Sequence, residues 1–108
     1  MERVFVMYDL KPGVTQERYT DFSRELDQVI TARLPGVLKF EVHIVKGAAR
    51  GVEGKPTEQP FKVIETIDVA SWDAWMRVVA SDAMAPVREG FTEVADLDTV
   101  VMAWGGQV

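Results

Sequence analysis

The sequence of 108 residues contains no cysteine and only one histidine, and these absences exclude several kinds of site. Without cysteine the chain cannot form disulfides, thiolate-bound zinc, iron–sulfur centres or a thiol nucleophile. A single histidine is too few for an ordinary metal site, and the glycines of residues 47–54 lack the pattern of a phosphate-binding loop. We therefore predict no metal, no nucleotide and no other cofactor.

Basic residues and long apolar runs are also scarce. Lysine and arginine together number 12, against 17 aspartate and glutamate residues, which leaves a net charge of -5. Nucleic acids and anionic membrane surfaces are bound mainly by clustered basic side chains. No stretch approaches the roughly 20 apolar residues that cross a bilayer, and the first apolar run is too short for a secretion signal. We expect a cytoplasmic protein that binds neither nucleic acid nor membrane.

The rest of the composition is that of a folded globular chain. Apolar residues make up 47% of the sequence and charged residues 27%, which are ordinary values for such proteins. The length is sufficient for one hydrophobic core but not for two. We therefore expect a single domain that covers residues 1–108.

The spacing of apolar residues predicts an alternation of strands and helices. Runs typical of strands extend over Arg3 to Leu10, Val37 to Lys46, Phe61 to Val69 and Leu97 to Trp104. A helical stripe of Tyr19, Phe22, Leu26, Val29, Ile30 and Leu34 follows the first run, and two shorter helical pieces begin after Ser71 and Asp82. Residues 47–60 are predicted to form an exposed loop. The order βαββαβ indicates a ferredoxin-like α+β fold, an antiparallel sheet with helices on one face.

Both faces of three strands carry apolar side chains, which indicates a partner for the sheet. In the first strand, Val4 and Val6 point to one side, and Phe5 and Met7 point to the other. Two helices cover only one face of such a sheet, so the other face stays exposed in a single chain. A second copy of the chain covers it most simply, and we predict a homodimer.

Several segments with these patterns resemble a known superfamily. They are RVFVMYDLKPGV, the aromatic stripe of the first helix, FKVIETIDVASWDAWMRVVAS and LDTVVMAWGG. Together they are similar to the dimeric α+β barrel proteins, and among these to the RedY/HapK-like proteins of prodigiosin-type pigment biosynthesis. The resemblance implies work on small molecules in secondary metabolism. The wider superfamily includes cofactor-independent monooxygenases, polyketide cyclases, haem-degrading enzymes and muconolactone isomerases, with ligands commonly held between sheet and helices.

Three polar side chains are candidates for acid/base chemistry. His43 is suited to proton transfer near neutral pH, although its strand neighbours Lys39 and Glu41 are charged and equally indicate a solvated face. Tyr8 lies on the core side of the first strand, where its hydroxyl binds either a substrate or another core group. Glu65 has the parity of buried residues in its strand, so burial would raise the pKa of its carboxyl and suit it to general-base catalysis.

Four aromatic side chains are candidates for a ligand pocket, namely Tyr19, Trp72, Trp75 and Phe91. Aromatic residues at helical spacing are also common in an ordinary core, and that alternative stays open. The sequence leaves open two main functions, beside a purely structural dimer that binds no ligand. One is an enzyme or enzyme-like accessory protein that performs cofactor-independent chemistry on an apolar, aromatic small molecule; the other is a non-catalytic module that binds or chaperones an intermediate or docks on a partner enzyme.

Overall fold

A four-stranded antiparallel sheet forms the centre of the computed structural model, which describes residues 1–108. Its strands are β1 (Glu2–Tyr8), β2 (Val37–Ile44), β5 (Val63–Val69) and β6 (Val101–Gly105), in the spatial order β2-β5-β1-β6. The helices pack against one face, so the predicted ferredoxin-like α+β architecture is confirmed. The two central strands, β1 and β5, contribute most of the buried strand residues because both of their edges are paired.

The first helical region contains a wide turn that changes which side chains face the core. It consists of α1 (Gln16–Phe22), a π-helical turn (Ser23–Asp27) and α2 (Gln28–Thr31). Helix α1 begins at Thr15, whose hydroxyl accepts the backbone N–H of Arg18 at 3.1 Å. A π-helical turn has more residues than an α-helical one, so positions four apart align on one side.

The aligned residues of this stripe are Tyr19, Ser23, Asp27 and Thr31, and all four are buried. Val29 was predicted to lie on the buried stripe, but its side chain is 40% exposed because the π-helical turn rotates it outward. Three polar side chains, Ser23, Asp27 and Thr31, thereby lie in the interior.

The second helical region consists of α3 (Trp72–Ala80) and α4 (Ala85–Val94), with a 3-10 turn (Asp82–Met84) between them. Ser71 caps α3 by accepting the N–H of Ala74, and Pro86 lies in the first turn of α4, where its missing N–H costs nothing. No helix in the chain is long and apolar enough to cross a membrane.

Three details of the strands differ from the sequence-based predictions. Residues 47–60 are exposed as expected, but they contain a hairpin of β3 (Ala48–Arg50) and β4 (Lys55–Thr57). The last strand begins at Val101 rather than Leu97, because Leu97–Thr99 forms a 3-10 turn capped by the Asp96 carboxylate. The alternation of Leu38, Phe40, Val42 and Ile44 in the sequence predicts one common face of β2, but a register shift between Val37 and Lys39 leaves Leu38 exposed.

Candidate functional site

A chain of three hydrogen-bonding side chains lies in the core between the sheet and the helices. Val6 of β1 pairs with Glu65 of β5, and Tyr8 pairs with Val63, so Tyr8 and Glu65 point to the same, helix-covered face. The Tyr8 hydroxyl donates to Oε2 of Glu65, and its oxygen lies 2.5 Å from the hydroxyl oxygen of Tyr19. Because Tyr8 has only one hydroxyl proton and donates it to Glu65, the hydroxyl of Tyr19 donates to Tyr8.

Burial determines the protonation of this chain. Only 5% of Glu65 is exposed. This burial, together with the negative charge of Asp27, raises the pKa of its carboxyl to about 8, although the hydrogen bond from Tyr8 opposes the rise. Burial and the charge of Glu65 also raise the pKa values of Tyr8 and Tyr19. At neutral pH, Glu65 is therefore mainly a neutral carboxylic acid, and both phenols keep their protons.

Asp27 is a second buried carboxyl that lines the same cavity as Glu65, and it was not among the predicted site residues. It lies in the π-helical turn, where the Thr31 hydroxyl donates to its Oδ1 at 2.6 Å. Burial raises the pKa of Asp27 to about 6, and the bond from Thr31 opposes that rise. The signal in the sequence that could have identified Asp27 is the interval of four residues that joins Tyr19 to Ser23 and Ser23 to Asp27.

An apolar cavity of about 170 Å³ adjoins both carboxyl groups. Its apolar lining residues are Val6, Trp75, Val79, Met84, Val87, Phe91, Val100 and Met102, and its polar lining residues are Asp27, Glu65 and Arg88. Arg88 and Met102 are the exposed members of this lining and mark the mouth of the cavity. The Arg88 guanidinium is held there, since its Nη1 donates to the carbonyl oxygens of Val79 and Ser81, both at 2.7 Å.

Five of the predicted site residues come together around this cavity. Tyr8 and Glu65 form the hydrogen-bonded pair, Tyr19 extends it, and Trp75 and Phe91 line the cavity wall. The ring of Phe91 meets that of Tyr8 edge to face, with centroids 4.9 Å apart. The rings of Trp75 and Phe91 therefore lie beside the hydrogen-bonded pair of Tyr8 and Glu65.

Trp72 was predicted to join this pocket but lies elsewhere. Its ring stacks on that of Trp104 in β6, with centroids 3.8 Å apart and an angle of 11° between the planes. Trp72 is absent from the cavity lining. The stacked pair packs the start of α3 against the last strand, so the role of Trp72 is structural.

His43 lies on the face of the sheet that the helices leave uncovered. It pairs with Ile64 of β5, whereas Glu65 pairs with Val42, so His43 and Glu65 point to opposite faces. The His43 side chain is exposed. The structure thus places the candidate His43 on the opposite face of the sheet from Tyr8 and Glu65, a relation that the sequence left open.

The sequence matches a known protein family over nearly its whole length. The model of the family described as REDY-like protein HapK matches residues 2–108. No curated protein matches the sequence.

Solved structures with low sequence identity share the fold. HapK from Hahella chejuensis is 18% identical with a TM-score of 0.75, and the match covers 100% of this chain and 93% of that one. SnoaB, a cofactor-independent oxygenase from Streptomyces nogalater, is 15% identical with a TM-score of 0.68, covering 99% and 93% of the two chains. A dimeric ferredoxin-like protein of unknown function from Thermobifida fusca is 12% identical with a TM-score of 0.69, covering 98% and 90%.

Proposed function

Because the chain belongs to the family of REDY-like protein HapK, we propose that it is a tailoring or accessory protein of secondary metabolism. In this proposal it performs acid/base chemistry on a small apolar, aromatic molecule and needs no cofactor. The observation that carries the proposal is the carboxyl of Glu65, which is buried at the wall of an apolar cavity and hydrogen-bonded to Tyr8.

The environment of Glu65 suits proton transfer to or from a bound ligand. A general acid or base works best when its pKa is close to the working pH, and burial brings the pKa of Glu65 to about 8. Both protonation states of Glu65 are then accessible near neutral pH. The hydroxyl of Tyr8 stabilises the anionic form after a proton leaves, and Tyr19 supports Tyr8 in turn.

The cavity limits the size of the ligand. A dry apolar cavity of about 150 Å³ in another protein takes up one benzene molecule, and this cavity has about 170 Å³. It therefore accommodates one aromatic ring with a small substituent. The remaining part of a larger ligand would extend out of the cavity through the mouth between Arg88 and Met102, which are the exposed lining residues.

The homodimer is part of the same proposal. The sheet face opposite the helices carries apolar side chains, among them Phe5 and Val101, which are 37% and 46% exposed. A second copy packed on this face would cover them, as expected of an α+β barrel made of two sheets. The relative from Thermobifida fusca is described as dimeric, which supports the proposal. Native mass spectrometry tests it directly, because a persistent monomer would contradict the barrel.

A neutral probe of carboxylate bases tests the acid/base proposal. A base removes the ring C–H proton of 1,2-benzisoxazole, the C–H electrons form a nitrile, and the N–O bond breaks to give a cyanophenolate. The probe is aromatic, small and uncharged, so it suits the cavity. We expect turnover that rises with pH, with a midpoint near the raised pKa of Glu65, about 8. Glu65→Gln should reduce the rate by about 10²-fold or more.

The control variant is His43→Ala, which removes the residue on the opposite face and should leave the rate unchanged. Equal rates for the wild type and Glu65→Gln would contradict the proposal, as would a loss of rate in His43→Ala. Saturable binding of the probe without turnover would favour the non-catalytic binding module instead.

A further inference from the structure

Each of the two carboxyl groups in the cavity wall has one oxygen that accepts no hydrogen bond from the protein. Thr31 donates to Oδ1 of Asp27, which leaves Oδ2 of that carboxyl unpaired. Tyr8 donates to Oε2 of Glu65, which leaves Oε1 unpaired. Neither oxygen is fully enclosed, because the indole Nε1 of Trp75 is the one unpaired side-chain nitrogen or oxygen that the protein encloses completely. Both carboxyl groups line the apolar cavity, so their free oxygens are accessible to a molecule bound there.

The carboxyl of Asp27 is the one that most requires a further donor. Only 4% of Asp27 is exposed, and its pKa of about 6 leaves it mostly ionised at neutral pH, whereas Glu65 is mainly neutral. A buried carboxylate is stable only when hydrogen-bond donors surround its oxygens, which together offer about four acceptor positions. The hydroxyl of Thr31 fills one of these positions. A donor is therefore missing on the cavity side of Asp27.

No side chain of the cavity supplies this donor. Arg88 is the only cation in the lining, its Nη1 is bound to two backbone carbonyl oxygens, and it forms no ion pair with either carboxyl. The phenol protons of Tyr8 and Tyr19 are already used within their own hydrogen-bonded chain. No hydrogen bond joins Glu65 to Asp27. The missing donor is therefore best supplied by a bound molecule.

We propose that the cavity binds a phenol, whose hydroxyl donates to Oδ2 of Asp27 while its ring occupies the apolar part. This inference rests on the proposed function, since it names the substrate class of the same site. A phenol O–H is a strong neutral donor and forms a charge-assisted hydrogen bond with a carboxylate. An ammonium group would also donate, but moving its charge from water into an apolar cavity costs more than moving a hydroxyl group. The volume of about 170 Å³ accommodates one ring with a substituent of this size.

This arrangement gives the two carboxyl groups different roles. Asp27 recognises the ligand by its hydroxyl, and Glu65 exchanges a proton with the ligand, as proposed above. A hydrogen bond to the ionised form of Asp27 is stronger than one to its neutral form. The affinity for a phenol should therefore increase as the pH rises through about 6, where Asp27 loses its proton. By the same linkage, a bound phenol should lower the pKa of Asp27.

A pair of probes with the same shape tests the inference. Toluene carries a methyl group where phenol carries its hydroxyl. Dissociation constants of both are measured for the wild type and for Asp27→Asn, which keeps the oxygen that accepts from Thr31 and replaces the other oxygen with an NH₂ group. We expect the preference for phenol over toluene to fall about tenfold in Asp27→Asn, which corresponds to about 1.4 kcal/mol. The control Asp21→Asn, which changes an exposed aspartate of α1, should keep the wild-type preference.

A measurement on the wild type avoids the possibility that Asp27→Asn is misfolded. Between about pH 5 and about pH 7, the preference of the wild type for phenol over toluene should rise several-fold as Asp27 ionises. A constant preference over this range, an unchanged preference in a folded Asp27→Asn variant, or no binding of either probe would overturn the inference. A preference for phenol that depends on Asp27, without turnover of 1,2-benzisoxazole, would support the phenol ligand and contradict the acid/base function alone.

Discussion

The substitution Glu65→Gln keeps the shape of a buried side chain and removes its titration. In the folded protein, burial raises the pKa of Glu65 from the ordinary value of 4.5 to about 8. Between these two pH values the folded protein holds a proton that the unfolded chain has released. The free energy of unfolding therefore falls as the pH rises through this window, and Glu65→Gln should remove that fall.

The size of the effect follows from the two pKa values. Each unit of difference corresponds to about 1.4 kcal/mol, and Glu65 is fully inside the protein, so screening by solvent reduces this little. Asp27 has a contribution of the same sign, but its pKa of about 6 means that most of its contribution develops below that pH. The interval from about pH 6 to about pH 8 therefore reports mainly on Glu65, and we expect a loss of about 2 kcal/mol there in the wild type.

Urea unfolding at both pH values measures this difference. The wild type should be less stable at the higher pH by about 2 kcal/mol, whereas Glu65→Gln should change much less. The matched control is Glu25→Gln, since Glu25 is an exposed glutamate in the same protein and should retain the wild-type slope. If the wild type and Glu65→Gln showed the same pH dependence, Glu65 would titrate near its ordinary value and the reasoning would be refuted.

Three further substitutions test other parts of the account. Gly90→Ala places a methyl group 2.6 Å from the Phe22 ring, and we expect a net loss of about 1 kcal/mol in thermal or urea unfolding, because overpacking outweighs the gain in helix propensity. Tyr8→Phe removes the donor to Glu65 and should cost about 1–3 kcal/mol, while the pKa of Glu65 rises further. Phe5→Glu places a charge on the uncovered sheet face and should shift native mass spectra from dimer to monomer.

Each of these predictions has a result that contradicts it. A Gly90→Ala variant more stable than the wild type would show that α1 and α4 can move apart at the contact of Gly90 with Phe22. If Tyr8→Phe left both the turnover of 1,2-benzisoxazole and the stability unchanged, Tyr8 would have no role in the acid/base function. A dimer that tolerates the charge at Phe5 would place the interface between copies on another surface.

The parity of the strands made the burial of Tyr8 and Glu65 predictable. Strand side chains alternate with a period of two, so Tyr8 and Glu65 could be assigned to core faces from the sequences of their own strands. Whether they meet depends on the pairing of β1 with β5, which lie more than 50 residues apart in the sequence. The position of His43 relative to Glu65 depends in the same way on the register of β2 with β5. The segment between these strands, residues 47–60, is too long to fix that register from the sequence.

Asp27 could not be predicted by the same reasoning, because it depends on an irregular helix. Sequence patterns are read with a period of 3.6 residues, and with that period Asp27 belongs to the polar side. The π-helical turn changes the period locally and turns Asp27 and Thr31 inward. Such turns frequently occur at functional sites, where they redirect polar side chains into the interior. Here the turn adds a second carboxyl to the cavity wall.

The most direct test of the account is a titration of the Glu65 carboxyl by ¹³C NMR. Protein labelled at the side-chain carboxyl carbon of glutamate is followed across the pH range, and the signal missing from Glu65→Gln identifies the residue. We predict a midpoint near 8 in the free protein and a change in that midpoint when benzene, a ring of the size that the cavity admits, is bound there. A midpoint near the ordinary value of 4.5, unaffected by the ligand, would contradict an acid/base role for Glu65 in this cavity.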